Sequence, residues 1–171
     1  RSVLGDYFEV IEFCLAKRLL GPCVSVAYSL LDILGWLDSP DEFTNRNNFK
    51  AWVDLYLVPL MPTKLTSEEF WAARCALLHT GSAKSRHAYD NPAPRQIWFS
   101  FGNADNDMLQ ETADALSEDK VVAVHLDEMI KALRAATAAF LAAVDTAEES
   151  QRRVYGKSLR RMFCGGRSAA K

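Results

Sequence analysis

The chain is poor in the residues that hold metals and covalent cross-links. Of its four cysteines (Cys14, Cys23, Cys75 and Cys164) none stands in a C-x-x-C pair, so neither a zinc ribbon nor a disulfide framework is expected. Cys75 and His79 lie one helical turn apart and offer two ligands, but no companion pair completes a tetrahedral set. No metal and no cofactor is therefore expected. No apolar run reads as long enough to span a bilayer, and the first stretch lacks the layout of a secretory signal. No internal repeat is present. From Arg152 to Lys171 there is no acid at all, only a run of arginines and lysines, although the whole chain has a formal net charge of −2. A basic tail on an acidic body contacts nucleic acid or a membrane surface; more often it is a solvated end. These absences lead to the expectation of a cytoplasmic protein with no membrane partner.

What remains is ordinary globular material. A length of 171 residues, 49% apolar and 25% charged, suits one domain with a sizeable core. Residues 3 to 20 place Leu4, Phe8, Ile11 and Leu15 at helical spacing, with Gly21-Pro22 as the expected stop. A second helix carries Val24, Ala27, Leu31 and Leu34 on a broad apolar stripe and is expected at the centre of a bundle. After the loop "DSPDEFTNRNN", Phe49, Trp52, Val53 and Tyr56 mark a third helix, ended by Pro59 and Pro62.

The fourth helix follows from local chemistry. Thr66 and Glu69 form a capping box, Leu65 and Phe70 a hydrophobic staple, and Gly81 a C-terminal stop. Further on, the period changes. "RQIWFSFG" and "KVVAVHL" are short and rich in β-branched and aromatic residues, as strands are. A helical turn near Met108 to Leu116 separates them, and a long Ala-rich helix closes the domain. The expected fold is mainly α: a bundle of about five helices, with a small two-stranded β-hairpin inserted before the last helix. Residues 1–147 form the helical domain and 148–171 a basic C-terminal extension.

Within the fourth helix, "FWAARCALLHTGS" sets Arg74 mid-helix and His79 in the last turn. Five steps of about 100° put them roughly 140° apart, so they are not side-by-side neighbours. One reading has His79 facing the last helical carbonyls while Arg74 pairs with Glu69 or lies on the surface. In the other, two copies of the helix meet and share a cleft. There a histidine takes the proton of a ribose 2′-hydroxyl and an arginine fork holds phosphate oxygens. Lys84 and Arg86, with His87 and Arg95, follow the pair and would guide an RNA backbone, or belong to a solvated loop. Trp98, Phe99 and Phe101 are expected in the core rather than as a base-stacking platform.

The chain from the first helix to about residue 147 resembles a HEPN domain (higher eukaryotes and prokaryotes nucleotide-binding). "CVSVAYSLLDILGWL" resembles that family's central helix and "FWAARCALLHTGS" its R-x(4–6)-H helix. The resemblance implies a helical bundle that works as a homodimer. It implies metal-independent cleavage of RNA in toxin–antitoxin, phage-defence or RNA-processing systems, with Arg74 and His79 as the motif pair. An antitoxin or another protein is then a partner in some branches. Cys75 stands where active members usually carry Asn or Asp, and Gly81 where nucleotidyltransferase-paired toxins carry tyrosine. The alternative is a non-catalytic module of the same kind that binds nucleic acid, nucleotide or a partner protein.

Overall fold

In the computed structural model, which describes residues 3–39, 45–80, 94–116 and 120–147, and of 79 and 80 the backbone alone, the first helix stops before the Gly-Pro pair. Helix α1 (Val3–Ala16) ends in a Schellman turn. The N–H of Leu19 donates to the Cys14 carbonyl at 2.8 Å and that of Arg18 to the Leu15 carbonyl at 3.0 Å. Arg18 sits at φ +55°, in the left-handed place that glycine usually takes. Gly21 and Pro22, expected to stop this helix, instead open the next one, α2 (Leu20–Leu37). In a first turn proline has no intrahelical N–H bond to lose, so the same residues that end one helix suit the start of another.

By length and mean hydropathy (18 residues, 1.5) α2 is apolar enough to cross a membrane, contrary to the expectation above, and half of it is buried inside the fold. Its run is interrupted only by small or weakly polar residues and by Asp32, which an average over 18 residues absorbs. Leu30, Leu31 and Leu34 are fully or almost fully buried, which puts α2 at the centre of the bundle as expected. Gly35 admits the next helix: a Cβ there would lie 2.9 Å from the Phe49 Cα.

That helix, α3 (Arg46–Trp52), is capped by Asn45, whose side chain accepts the Asn48 N–H at 3.0 Å. It widens into a π turn over Val53–Leu57 and closes as a 3-10 turn over Val58–Leu60. In a continuing α-helix the Pro59 ring would strike the Leu55 carbonyl, and the chain leaves α geometry ahead of it. Helix α4 (Ser67–Thr80) follows.

The period change does mark two strands, β1 (Gln96–Ser100) and β2 (Val121–His125), but the pair is parallel and not a hairpin. Gln96 faces Val121 and Ser100 faces His125. The connection between them is a whole helix, α5 (Asn106–Ala115), capped by Asp105 through the Asp107 N–H at 2.9 Å. A helix of this kind returns the chain to the end where it started, which a two-residue turn cannot do. Gln110 then ties α5 to β2 by accepting the Ala123 N–H at 2.8 Å. The last helix, α6 (Leu126–Thr146), starts directly from β2. The protein is thus mainly α, with six α-helices and a β-α-β insert among the described residues. The extension 148–171 lies outside them.

Tyr28, Phe49, Trp52, Phe70 and Phe140 meet in one core. Phe140 lies edge-on to Trp52 at 6.2 Å and to Tyr56 at 5.5 Å, geometry that adds about 0.5–1.5 kcal/mol per pair beyond area burial. The Tyr28 hydroxyl is fully buried and has no hydrogen-bond partner among the described residues. Burial also pushes its ionisation far above the ordinary phenol range. Replacing it by Phe removes an unsatisfied group and keeps the ring. Tyr28→Phe should therefore raise stability by up to about 1 kcal/mol in urea unfolding. A loss of that size would reveal a partner for the hydroxyl.

Candidate functional site

Helix α4 is held at its start by reciprocal bonds. The Thr66 N–H donates to Glu69 Oε2 at 2.8 Å and the Glu69 N–H to Thr66 Oγ1 at 3.3 Å, the capping box read from the sequence. Leu65 and Phe70, the two halves of the staple, are both buried. The second oxygen of Glu69 takes Arg95 Nε, and Arg95 Nη2 donates to the Lys64 carbonyl at 2.8 Å. Arg95, considered above as an RNA guide, therefore anchors the start of β1 to the α4 cap. Glu68, next in line, bonds Lys50 Nζ at 2.6 Å and also Arg46, both from α3. Burial pulls its carboxyl upward, but the two cations outweigh this and hold it below the ordinary carboxylate range.

Two turns further on is Arg74. It neither pairs with Glu69 nor lies free on the surface. Its Nε donates to both oxygens of Asp32, at 2.9 and 3.2 Å, and its Nη2 to Asp32 Oδ2 at 2.8 Å. Asp32 comes from α2, so the pair joins the two central helices. The side chains are 17% and 16% exposed, which places the contact at the edge of the core. Burial alone would lower the Arg74 pKa; the Asp32 carboxylate, with a smaller contribution from Cys75, raises it, so the guanidinium stays charged. The Trp71 ring, 5.2 Å from Arg74 Cζ, covers one face of the fork, and Trp71 is itself edge-on to Phe49 at 5.4 Å. Two donors on one carboxylate and a ring on one face fix the plane of the guanidinium.

His79 falls in the last turn of α4, as read from the sequence, and the helix runs on to Thr80. Its side chain, together with Lys84 and Arg86 in 81–93, lies outside the described residues. Of the four residues singled out, only Arg74 can be placed in full. The residue that sequence reasoning passed over is Asp32. A signal for it existed: "LGPCVSVAYSLLDILGWL" contains one charged side chain, and a lone carboxylate in so apolar a helix requires a cation from elsewhere. Phe99 and Phe101 are half-buried and pack on the core, as expected, whereas Trp98 is half-buried but stands outside the core cluster. No cluster of three or more metal-ligating side chains is found among the described residues.

Comparison of the chain with family models, with curated proteins and with solved structures finds no match.

Proposed function

We propose that this domain is a metal-independent endoribonuclease of the HEPN type, working in the cytoplasm as a homodimer. Arg74 and His79 are its catalytic pair. His79 takes the proton of a ribose 2′-hydroxyl, the freed oxygen attacks the adjacent phosphorus, and the 5′-oxygen departs as it receives a proton from a histidine imidazolium of the shared cleft. The products end in a 2′,3′-cyclic phosphate and a 5′-hydroxyl. Arg74 stabilises the charge that builds on the phosphorane oxygens.

The observation that supports this best is the grip of Asp32 and Trp71 on Arg74. A guanidinium fixed before substrate arrives does not have to reorganise as charge develops, and that is where electrostatic catalysis gains most. Trp71, Leu77 and Leu78 lie half-buried around Arg74 on α4 and form an apolar surface through which two copies would pair. Each copy then completes the other's cleft. Lys84, Arg86 and the basic extension would supply sequence-independent contacts to the RNA backbone. An antitoxin or other protein partner would cover the same cleft.

A second reading draws on the same ion pair. Asp32 already neutralises Arg74, and Cys75 beside it is no substitute for the usual amide or carboxylate. On that reading the domain binds nucleic acid, nucleotide or a protein without cutting. One experiment separates the two. The protein is incubated in EDTA with a single-stranded RNA and with its DNA counterpart, and its mass is measured by light scattering. The nuclease reading expects RNA fragments, intact DNA and a dimer. RNA left whole across several unrelated sequences transfers the assignment to the binding module.

A further inference from the structure

A cavity of about 310 Å³ lies away from α4, lined by Leu15, Arg18, Phe101, Gly102, Asn103 and Asp127. Its position follows from the β-α-β insert. β1 and β2 end together at Ser100 and His125, and the residues just after each strand, 101–103 and 127, form one wall. The carboxyl edge of parallel strands is where ligands settle in larger sheets of this kind, because chain ends diverge there and leave a crevice. Leu15 and Arg18, from the end of α1 and the turn after it, line it as well.

Two features set this crevice apart. Arg18 occupies the left-handed Schellman position at φ +55°, where glycine or asparagine would be relaxed, and it lines the cavity. Its side chain makes no hydrogen bond or ion pair among the described residues, although its N–H bonds the Leu15 carbonyl. Asp127, also in the lining, uses one oxygen to accept the Gly102 N–H at 2.9 Å, with His125 Nδ1 3.6 Å from that same oxygen. The His125 Nε2 in turn meets the Gly102 carbonyl at 3.1 Å, so the wall carrying Asp127 is braced. Its other oxygen has no partner among the described residues. A cationic and an acidic residue thus line one small cavity without pairing to each other, and Leu15 and Phe101 add apolar lining.

We propose that this cavity binds a small zwitterion, an α-amino acid with an apolar side chain. Its carboxylate meets Arg18, its ammonium meets the free oxygen of Asp127, and its side chain lies on Leu15 and Phe101. A volume at the lower end of the range for ligand pockets favours a ligand of this size over a nucleotide. The site is independent of the α4 cleft and does not rest on the nuclease reading.

The test is amide NMR on the full chain, titrated with L-phenylalanine, 3-phenylpropionate and phenethylamine, up to roughly 10 mM to cover millimolar dissociation constants. L-Phenylalanine should shift the amides of Arg18, Gly102 and Asp127 saturably, and each singly charged analogue should bind about tenfold more weakly. Arg18→Gly relaxes the backbone, and Asp127→Asn keeps an acceptor for Gly102; both fold, and each should weaken phenylalanine binding about tenfold. No saturable shift at these amides, equal binding of either analogue, or unchanged binding in both variants overturns the proposal.

Discussion

Asp32→Ala should lower the melting temperature by about 5–10 °C. The Arg74 side chain, 17% exposed and under Trp71 in the wild type, loses the Asp32 carboxylate in this variant. Exposed ion pairs contribute about 0–1 kcal/mol, whereas removing one partner of a buried pair costs about 3–5 kcal/mol. A contact at the core edge falls between, at about 2–3 kcal/mol, and a domain of this size loses about 2–4 °C per kcal/mol. Asp32→Asn keeps an acceptor of the same shape and should lose about half as much. Adding Arg74→Ala to Asp32→Ala should recover part of the loss, since the double variant no longer holds a guanidinium at the core edge without the Asp32 carboxylate. A fall below about 2 °C would mean that solvent screens the pair and that α2 and α4 are held together by apolar packing alone.

How far the structure was legible depended on the range of each interaction. The two reciprocal bonds of the α4 cap join Thr66 and Glu69, three positions apart, and were readable because both partners are local, whereas the Arg95 contact to Glu69 was not. The strands were readable from composition, but their direction was not. Whether Gln96 pairs with Val121 or with His125 is decided by whether the intervening segment turns back or crosses over as a helix. The bond from Gln110 to Ala123 that locks the crossover has no local signature. Gly21-Pro22 carried a signal with two meanings, a stop and a start, and the backbone bonds of Arg18 and Leu19 selected the second. At the candidate site the position of Arg74 on its helix was legible, whereas its partner lies 42 residues earlier on another helix. Asp32 announced only its need for a cation, not which one.

Replacing His79 by Ala should slow RNA cleavage about 10²–10⁴-fold, the usual contribution of a positioned general base or acid. Fold and mass should be unaltered, which circular dichroism and light scattering on the variant check. Arg74→Lys is the more discriminating substitution. A lysine still offers Asp32 a positive charge, so the link between α2 and α4 persists and the melting temperature should fall by only a few degrees. The ammonium is a point charge and cannot present two parallel donors to phosphate oxygens, so cleavage should fall well beyond any change in folding. If Arg74 serves only to tie α4 to α2, activity and stability will instead decline together.

The central claim is that α4 carries a phosphate-cutting pair needing no metal. The most direct measurement is the single-turnover rate on end-labelled single-stranded RNA in EDTA, for wild type, His79→Ala and Arg74→Lys, with the new 3′ ends identified. The account predicts wild-type cleavage leaving 2′,3′-cyclic phosphates, and a large rate loss in both variants at unchanged mass. Cleavage that persists in both variants, or that appears only when Mg²⁺ is restored, would contradict it.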